Sequence, residues 1–292
     1  PLHRLRVVRD AMQAESGDAI EESSSRRAAD QCGSFIFKNS SRKGRQKEDD
    51  DQYAADAPGE ALVKMKKAVI HLLTRIRNSR LLWETMGSIY NRRIYGALAS
   101  LYDDVAGKIP LIPGAHLLDA GCGRGYIALQ LAQKNPSAHV TGIDYSFMQV
   151  HEARKLQRIR KVINCRFDQG NVTDLGFADH SFAAAVSIGS IKHWLDPLRG
   201  LGEIRRVIKP GGLLVISETD QDVSDEDLWR FMTRFKVWFV PKRLLFWGLR
   251  HVIFGQSYTE TTLSEALRQA GFQNIERSRV PGCPYVIAKA RK

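Results

Sequence analysis

The stretch LLDAGCGRGYIALQLA, Leu117–Ala132, constrains what this chain can fold into more than any other. A short apolar run ends in an acid, Asp119. Glycines follow at alternate positions, Gly121, Gly123 and Gly125. Apolar residues at helical spacing begin at once. The order is strand, turn, helix, the repeating unit of an α/β fold. Glycines let the backbone of such a turn pass close to a ligand. The helix behind it offers free N–H groups to an anion. A triphosphate, a dinucleotide and a sulfonium nucleoside can each use a turn of this kind.

The spacing separates them. A triphosphate loop needs G-x-x-x-x-G-K-[ST], and no Lys follows these glycines. A dinucleotide turn needs G-x-G-x-x-G. Here the third glycine is at 125, and position 126 is Tyr. Asp119, just before the turn, would oppose a pyrophosphate. It suits a ligand carrying an ammonium group.

The alternation continues to the C-terminus. The pattern predicts strands at Ala115–Ala120, His139–Asp144, Asn164–Asp168, Ala183–Ser187, Leu213–Glu218, Asn274–Arg279 and Tyr285–Lys289. Helices such as YIALQLAQK and FMQVHEARKLQRI fill the intervals. The expectation is a Rossmann-like α/β fold: a seven-stranded, mainly parallel sheet with helices on both faces. Only VPGCP separates the last two strands, too short for a crossover helix, so the last strand is expected to run antiparallel.

Three other regions flank this core. Residues 1–60 are rich in Ser and charge without a sustained period and read as a low-complexity tail. Residues 61–113 read as two or three helices and a Pro-bracketed linker, with the sheet domain at 114–292. An insertion at 221–257 reads as a helical lid. It places Leu228, Phe231, Met232, Phe235, Trp238 and Phe239 on one face. Six Lys/Arg and no acid fall within 228–257, so it is no membrane span. Packed lid and surface-seeking amphipathic pair both fit, with peripheral membrane contact through 228–254 in the second case.

Bulk charge adds little. The chain carries +12. Residues 1–60 hold 10 Lys/Arg against 12 Asp/Glu, and residues 61–292 hold 34 against 20. Cys32, Cys122, Cys165 and Cys283 form no CxxC and no metal-ligand spacing with His, so no metal is expected. Free thiols without an apolar leader point to a cytoplasmic protein.

D-x-G-x-G-x-G at 119–125 resembles motif I of the class I S-adenosylmethionine (SAM) methyltransferases, and three further segments support the resemblance. Asp144 ends the second strand, 19 residues after Gly125, where a carboxylate can accept both ribose hydroxyls. FDQGNVTDLGFADHSFAAAVS is similar to the family's adenine-binding segment. IRRVIKPGGLLVISE is similar to its turn before strand five. The resemblance, strongest over Leu117–Glu218, is to the small-molecule enzymes related to quinone and sterol biosynthesis. It implies SAM on Asp119, Gly121, Cys122, Gly123, Gly125, Asp144, Tyr145, Met148, Asn171, Val172, Ser187 and Ile188. Two positions depart from the family pattern: Asn171 replaces the usual acid at the adenine amine, and Ala183 replaces the Asp of SFD.

A sulfonium methyl is already activated, so a protein mainly positions and desolvates it. A hydroxyl or carbon acceptor also calls for a base. His193, in SIGSIKHWLDP after strand four, is the candidate, with Asp196 either orienting it or capping the next helix. Tyr90 and Tyr95, in the N-terminal helices, are candidates for covering the cofactor. Tyr95, His193, Trp194, Phe231 and Phe235 are the candidate acceptor-binding residues, with Trp238, Phe246 and Trp247 completing an apolar wall. The reading is methyl transfer to a small apolar molecule such as a lipid, a quinone or a natural product. The Pro-Pro motif of base N-methyltransferases is absent after strand four, so nucleic acid is not the expected partner. An RNA or protein methyltransferase is the alternative within the class. A non-catalytic SAM-binding or scaffold subunit is the alternative outside it.

Overall fold

The computed structural model describes residues 58–79, 84, 95–110, 112–234 and 240–292. The low-complexity tail up to residue 57, Tyr90, Phe235, Trp238 and Phe239 lie outside the described residues. Helix α1 spans Pro58–Asn78 and α2 spans Ala99–Lys108. The sheet unit then runs β1 (His116–Ala120), α3 (Tyr126–Lys134), β2 (His139–Asp144), α4 (Phe147–Arg160), β3 (Cys165–Gln169) and β4 (Phe182–Ile188). It continues with α5 (Pro197–Val207), β5 (Ile208–Thr219), α6 (Asp225–Met232), α7 (Lys242–Gly248) and a π-helical turn, Leu249–Phe254. Helix α8 (Glu260–Gln269), β6 (Gln273–Arg279) and β7 (Tyr285–Arg291) complete it.

The seven strands form one sheet in the order β3-β2-β1-β4-β5-β7-β6. Pairings from β3 through β5 are parallel, and β7 pairs antiparallel with both β5 and β6. The expected architecture is therefore present, with the antiparallel strand inserted between β5 and β6. Strand β5 begins at Ile208, five residues earlier than expected, because Ile208 already pairs with Phe182 of β4; the KPGG segment is the irregularity before the ladder resumes at Leu213.

Alternating side chains build two cores. Leu117 faces a cluster that contains α2, α3 and α4, and Leu118 faces one that contains α5 and α8. This is the period-two alternation of a strand buried on both faces. Asp119 shares the face of Leu117 and is buried there. Chain order reverses at β1, which lies between β2 and β4, so ligands of such sheets meet the carboxyl end of this strand. Local chemistry sets the helix starts near that rim. Ser146 caps α4, and Asp196 accepts the Arg199 N–H with Pro197 in the first turn of α5.

Candidate functional site

The glycine turn sits at the reversal point. Gly121, Gly123 and Gly125 all have positive φ, at 74°, 52° and 74°. At Gly121 a Cβ would lie 1.8 Å from Ser190 Oγ, and at Gly125 one would lie 2.3 Å from the Phe167 ring. No other residue type fits these two positions without displacing the β4 loop or β3. The Gly121 and Cys122 N–H groups both donate to the Ile143 carbonyl, at 2.8 and 2.9 Å, which ties the turn to β2.

Two carboxyls stand under the turn. Asp119 is 1% exposed, and neither of its oxygens has a hydrogen-bond partner. Burial, with Asp144 nearby, raises its pKa well above the usual carboxylate range. The Ala128 amide in the first turn of α3 offsets part of this without reaching hydrogen-bond geometry. Asp144 differs. Its Oδ2 accepts the Gly123 N–H at 2.8 Å and its Oδ1 the Ser146 N–H at 2.9 Å. Burial still lifts its pKa to about 6, against the pull of those two bonds, and Glu84 adds to the rise.

Glu84, which periodicity could not find, lies beside Asp144. Its carboxylate accepts from Ser146 Oγ and from the Phe147 and Met148 N–H groups, at 2.9 to 3.1 Å. It neutralises the start of α4, beside the ribose candidate Asp144. Tyr126 was also missed. Tyr95 stacks on it with centroids 3.9 Å apart, and the Arg124 guanidinium lies over the same ring. Tyr95 thus reaches the glycine turn through Tyr126.

The other expected cofactor residues divide. Tyr145 and Met148 are exposed beside Asp144. Asn171 Oδ1 accepts the Thr173 N–H at 3.0 Å, an Asx turn that leaves the oxygen its second lone pair. Val172 and Cys122 are buried. Ser187 is fully buried and donates to the Ala120 carbonyl at 2.8 Å, so it braces β1 from below. Ile188 packs on the core of the same face. Ala183, the second departure from the family pattern, also packs on this core.

The loop after β4 lies against the glycine turn, as the Gly121–Ser190 approach shows. His193 Nδ1 is 3.1 Å from Asn78 Oδ1, and Arg77 Nε donates to that same oxygen at 2.9 Å. A guanidinium N–H can only donate, so the shared atom is an acceptor and His193 Nδ1 carries the proton. His193 Nε2 is therefore the proton-accepting nitrogen. Burial, with Lys192 and Arg77 close by, holds the imidazole pKa well below its usual value, so the ring is neutral at pH 7. Lys192 is ion-paired to the fully buried Glu218 at the end of β5. Asp196 accepts the Arg199 N–H at 3.0 Å and so caps α5. Trp194 donates to Ser190 Oγ at 2.9 Å and lies against Gly200.

The insertion folds as α6, α7 and the π-helical turn. Leu228, Phe231, Met232, Leu249, Val252 and Phe254 are buried. Phe231 is 2% exposed and packs edge-on to Phe254 and Tyr285. In this packing it supports the insertion from beneath. Phe246 and Trp247 are half-buried, and Phe246 lies against Trp229. The apolar face of this block therefore points inward, as in a lid. A separate open hollow of about 430 Å³ lies at the opposite rim, beside His116, His139 and Arg166, away from all these groups.

A methyltransferase-domain family model matches residues 112–263, just over half of the chain and all of β1 through α7. The chain belongs to that family. It is 30% identical over 196 residues to the O-methyltransferase resE of Aspergillus sclerotiorum, covering 64% of this chain and 67% of that protein. It is 33% identical to the O-methyltransferase cnsE of Penicillium expansum, covering 59% of this chain and 57% of that one. It is 34% identical to the ubiquinone/menaquinone biosynthesis C-methyltransferase UbiE of Geotalea daltonii, over 38% of this chain and 48% of that protein. The chain thus spans from about half to two thirds of these curated relatives. Among solved structures, the [4+2]-cyclase SpnF superposes with TM-score 0.51 at 26% identity, over 66% of this chain and 79% of that one. A SAM-dependent methyltransferase from Aquifex aeolicus matches the fold with TM-score 0.51 at 19% identity, over 67% of this chain and 92% of that one. A cyclase on this fold means that the reaction has to be argued from the site.

Proposed function

We propose that this chain binds SAM and methylates a hydroxyl of a small, largely apolar molecule. One observation carries the reading. Asp119 is a fully enclosed acid with no hydrogen-bond partner, next to a left-handed glycine turn at a helix start. Burying an unpaired carboxyl costs stability, and a ligand ammonium group would offset that cost. The free N–H groups at the start of α3 suit the ligand carboxylate. Asp144, held by two backbone donors, suits the ribose diol. Asn171, with its second lone pair, suits the adenine amine. The residues present fit SAM.

When bound, SAM supplies a methyl group on a positively charged sulfur. The chain's part is to position, to exclude water and to handle one proton. With SAM bound, His193 Nε2 would take up the acceptor's hydroxyl proton, so that the methyl group could pass from sulfur to oxygen and S-adenosylhomocysteine could leave. Asn78 is a positioning residue that selects the receptive tautomer. The stacked Tyr95 and Tyr126 shield the methionine end. The inward-facing insertion supplies the apolar wall, with Phe246 and Trp247 its half-buried aromatics. The hydroxyl is favoured by the O-methyltransferase relatives, and the neutral imidazole is the group such an acceptor calls for.

A methyl-label screen tests the acceptor. The purified chain with labelled SAM should transfer label into the apolar fraction of a cell extract, and the product should carry a methyl ether. Label found only in RNA or protein would overturn the reading.

A further inference from the structure

Helix α1 carries a surface that the cofactor and acceptor sites do not use. Leu62, Met65, Val69, Leu72 and Ile76 recur at spacings of three and four, and each is exposed, from 42 to 61%. At 100° per residue they form one continuous stripe along the helix. The face packed on the protein is a neighbouring one, marked by buried Arg77 and half-buried Ile70, Leu73 and Thr74. On the other flank of the stripe lie Lys64, Lys67, His71 and Arg75, and all four are exposed. An open apolar patch of this kind marks a contact surface.

Charge selects the occupant. The helix holds Lys64, Lys66, Lys67, Arg75 and Arg77 against a single acid, Glu60. A second copy of the helix would bring like charges together. A nucleic acid would meet the cations and leave the apolar stripe in water. An anionic bilayer surface takes both, apolar side chains at the acyl boundary and cations at the headgroups. We propose that α1 lies in the plane of an anionic membrane surface. No described helix is long and apolar enough to cross a membrane.

The end of this helix is tied to the site. Arg77 Nη1 donates to the Val252 carbonyl of the insertion at 2.6 Å, and Asn78 bonds His193. Docking through α1 therefore brings the acceptor site to the bilayer, where apolar molecules dissolve. The membrane contact does not depend on the methyltransferase reading, which SAM calorimetry tests separately.

The test is flotation of the full chain with phosphatidylcholine vesicles, with and without phosphatidylserine. The chain should float only with phosphatidylserine. Raising salt from about 0.1 to 1 M shortens screening from about 10 to 3 Å and should release it. Two double variants, Met65→Glu with Leu72→Glu and Lys67→Glu with Arg75→Glu, should each lose about tenfold or more in vesicle affinity. All four positions are exposed, so circular dichroism and melting should match the parent. Equal flotation with both vesicle types, or parent-like binding by both variants, overturns the proposal. So does a dimer that the Met65/Leu72 variant abolishes, or an RNA complex, in a chain that fails to float.

Discussion

The Gly123 N–H donates to Asp144 Oδ2 at 2.8 Å. The glycine turn after β1 and the acid ending β2 are thus one unit, and a change in the acid reaches both halves of the ligand. Asp144→Ala removes the ribose acceptor and releases the turn. A charge-assisted hydrogen bond is worth about 1.5–3 kcal/mol, so SAM affinity should fall by about tenfold or more. Calorimetry on the variant measures it. Parent-like affinity would show that Asp144 does not hold the ribose.

The same carboxyl sets a pH dependence. Its pKa is raised to about 6 by burial, and only the ionised form accepts two hydroxyls. SAM affinity should be flat above pH 7 and fall below pH 6. Glu84→Gln removes the neighbouring charge and should move that midpoint down. Stability follows the opposite sign. The folded value exceeds the unfolded value of about 3.9, so the folded chain takes up the proton first. The contribution of Asp144 to stability is greatest below pH 4 and declines as pH rises to about 6. Affinity titrations from pH 5 to 8 check the midpoint. A pH-independent affinity would contradict it.

Asp119 should show a conflict between stability and function. Its buried carboxyl has no hydrogen-bond partner. Asp119→Asn removes the charge at nearly constant shape, so the ligand-free variant should melt higher, by a few degrees for each roughly 1 kcal/mol gained. The difference should widen as pH rises, because burial raises the pKa of the acid it replaces. SAM binding should weaken in the same variant. Scanning calorimetry with and without SAM separates the two effects. A variant that melts lower and binds SAM normally would make Asp119 a structural residue.

His193→Ala should keep SAM affinity and lose about 10²-fold or more in kcat. Asn78→Leu should lose less, since it frees the tautomer and leaves the ring in place. Asn78→Asp should restore activity over Asn78→Leu and shift the pH–rate profile upward, because a carboxylate beside Nδ1 raises the imidazole pKa. A purely structural Asn78 would leave the profile unmoved.

The sheet was legible because its signals are local. Asp119, the three glycines and Asp144 are set by strand ends and turn conformations, and the Tyr126–Lys134 helix begins where the glycines stop. Residues whose place depends on distant packing were not legible. Glu84 reaches α4 from 62 residues away and Asn78 reaches His193 from 115, and no periodicity encodes either. Phe231 is set in the same way: its ring packs edge-on to Phe254 and Tyr285, contacts that helical spacing does not encode. The spacing of α1 marked a helix, but sequence alone does not say which apolar face finds a partner and which stays exposed.

Isothermal calorimetry of the full chain with SAM tests the central claim most directly. The account predicts one SAM per chain, competition by S-adenosylhomocysteine, and marked weakening in Asp144→Ala and Asp119→Asn. No heat of binding for either ligand in a folded chain would contradict it.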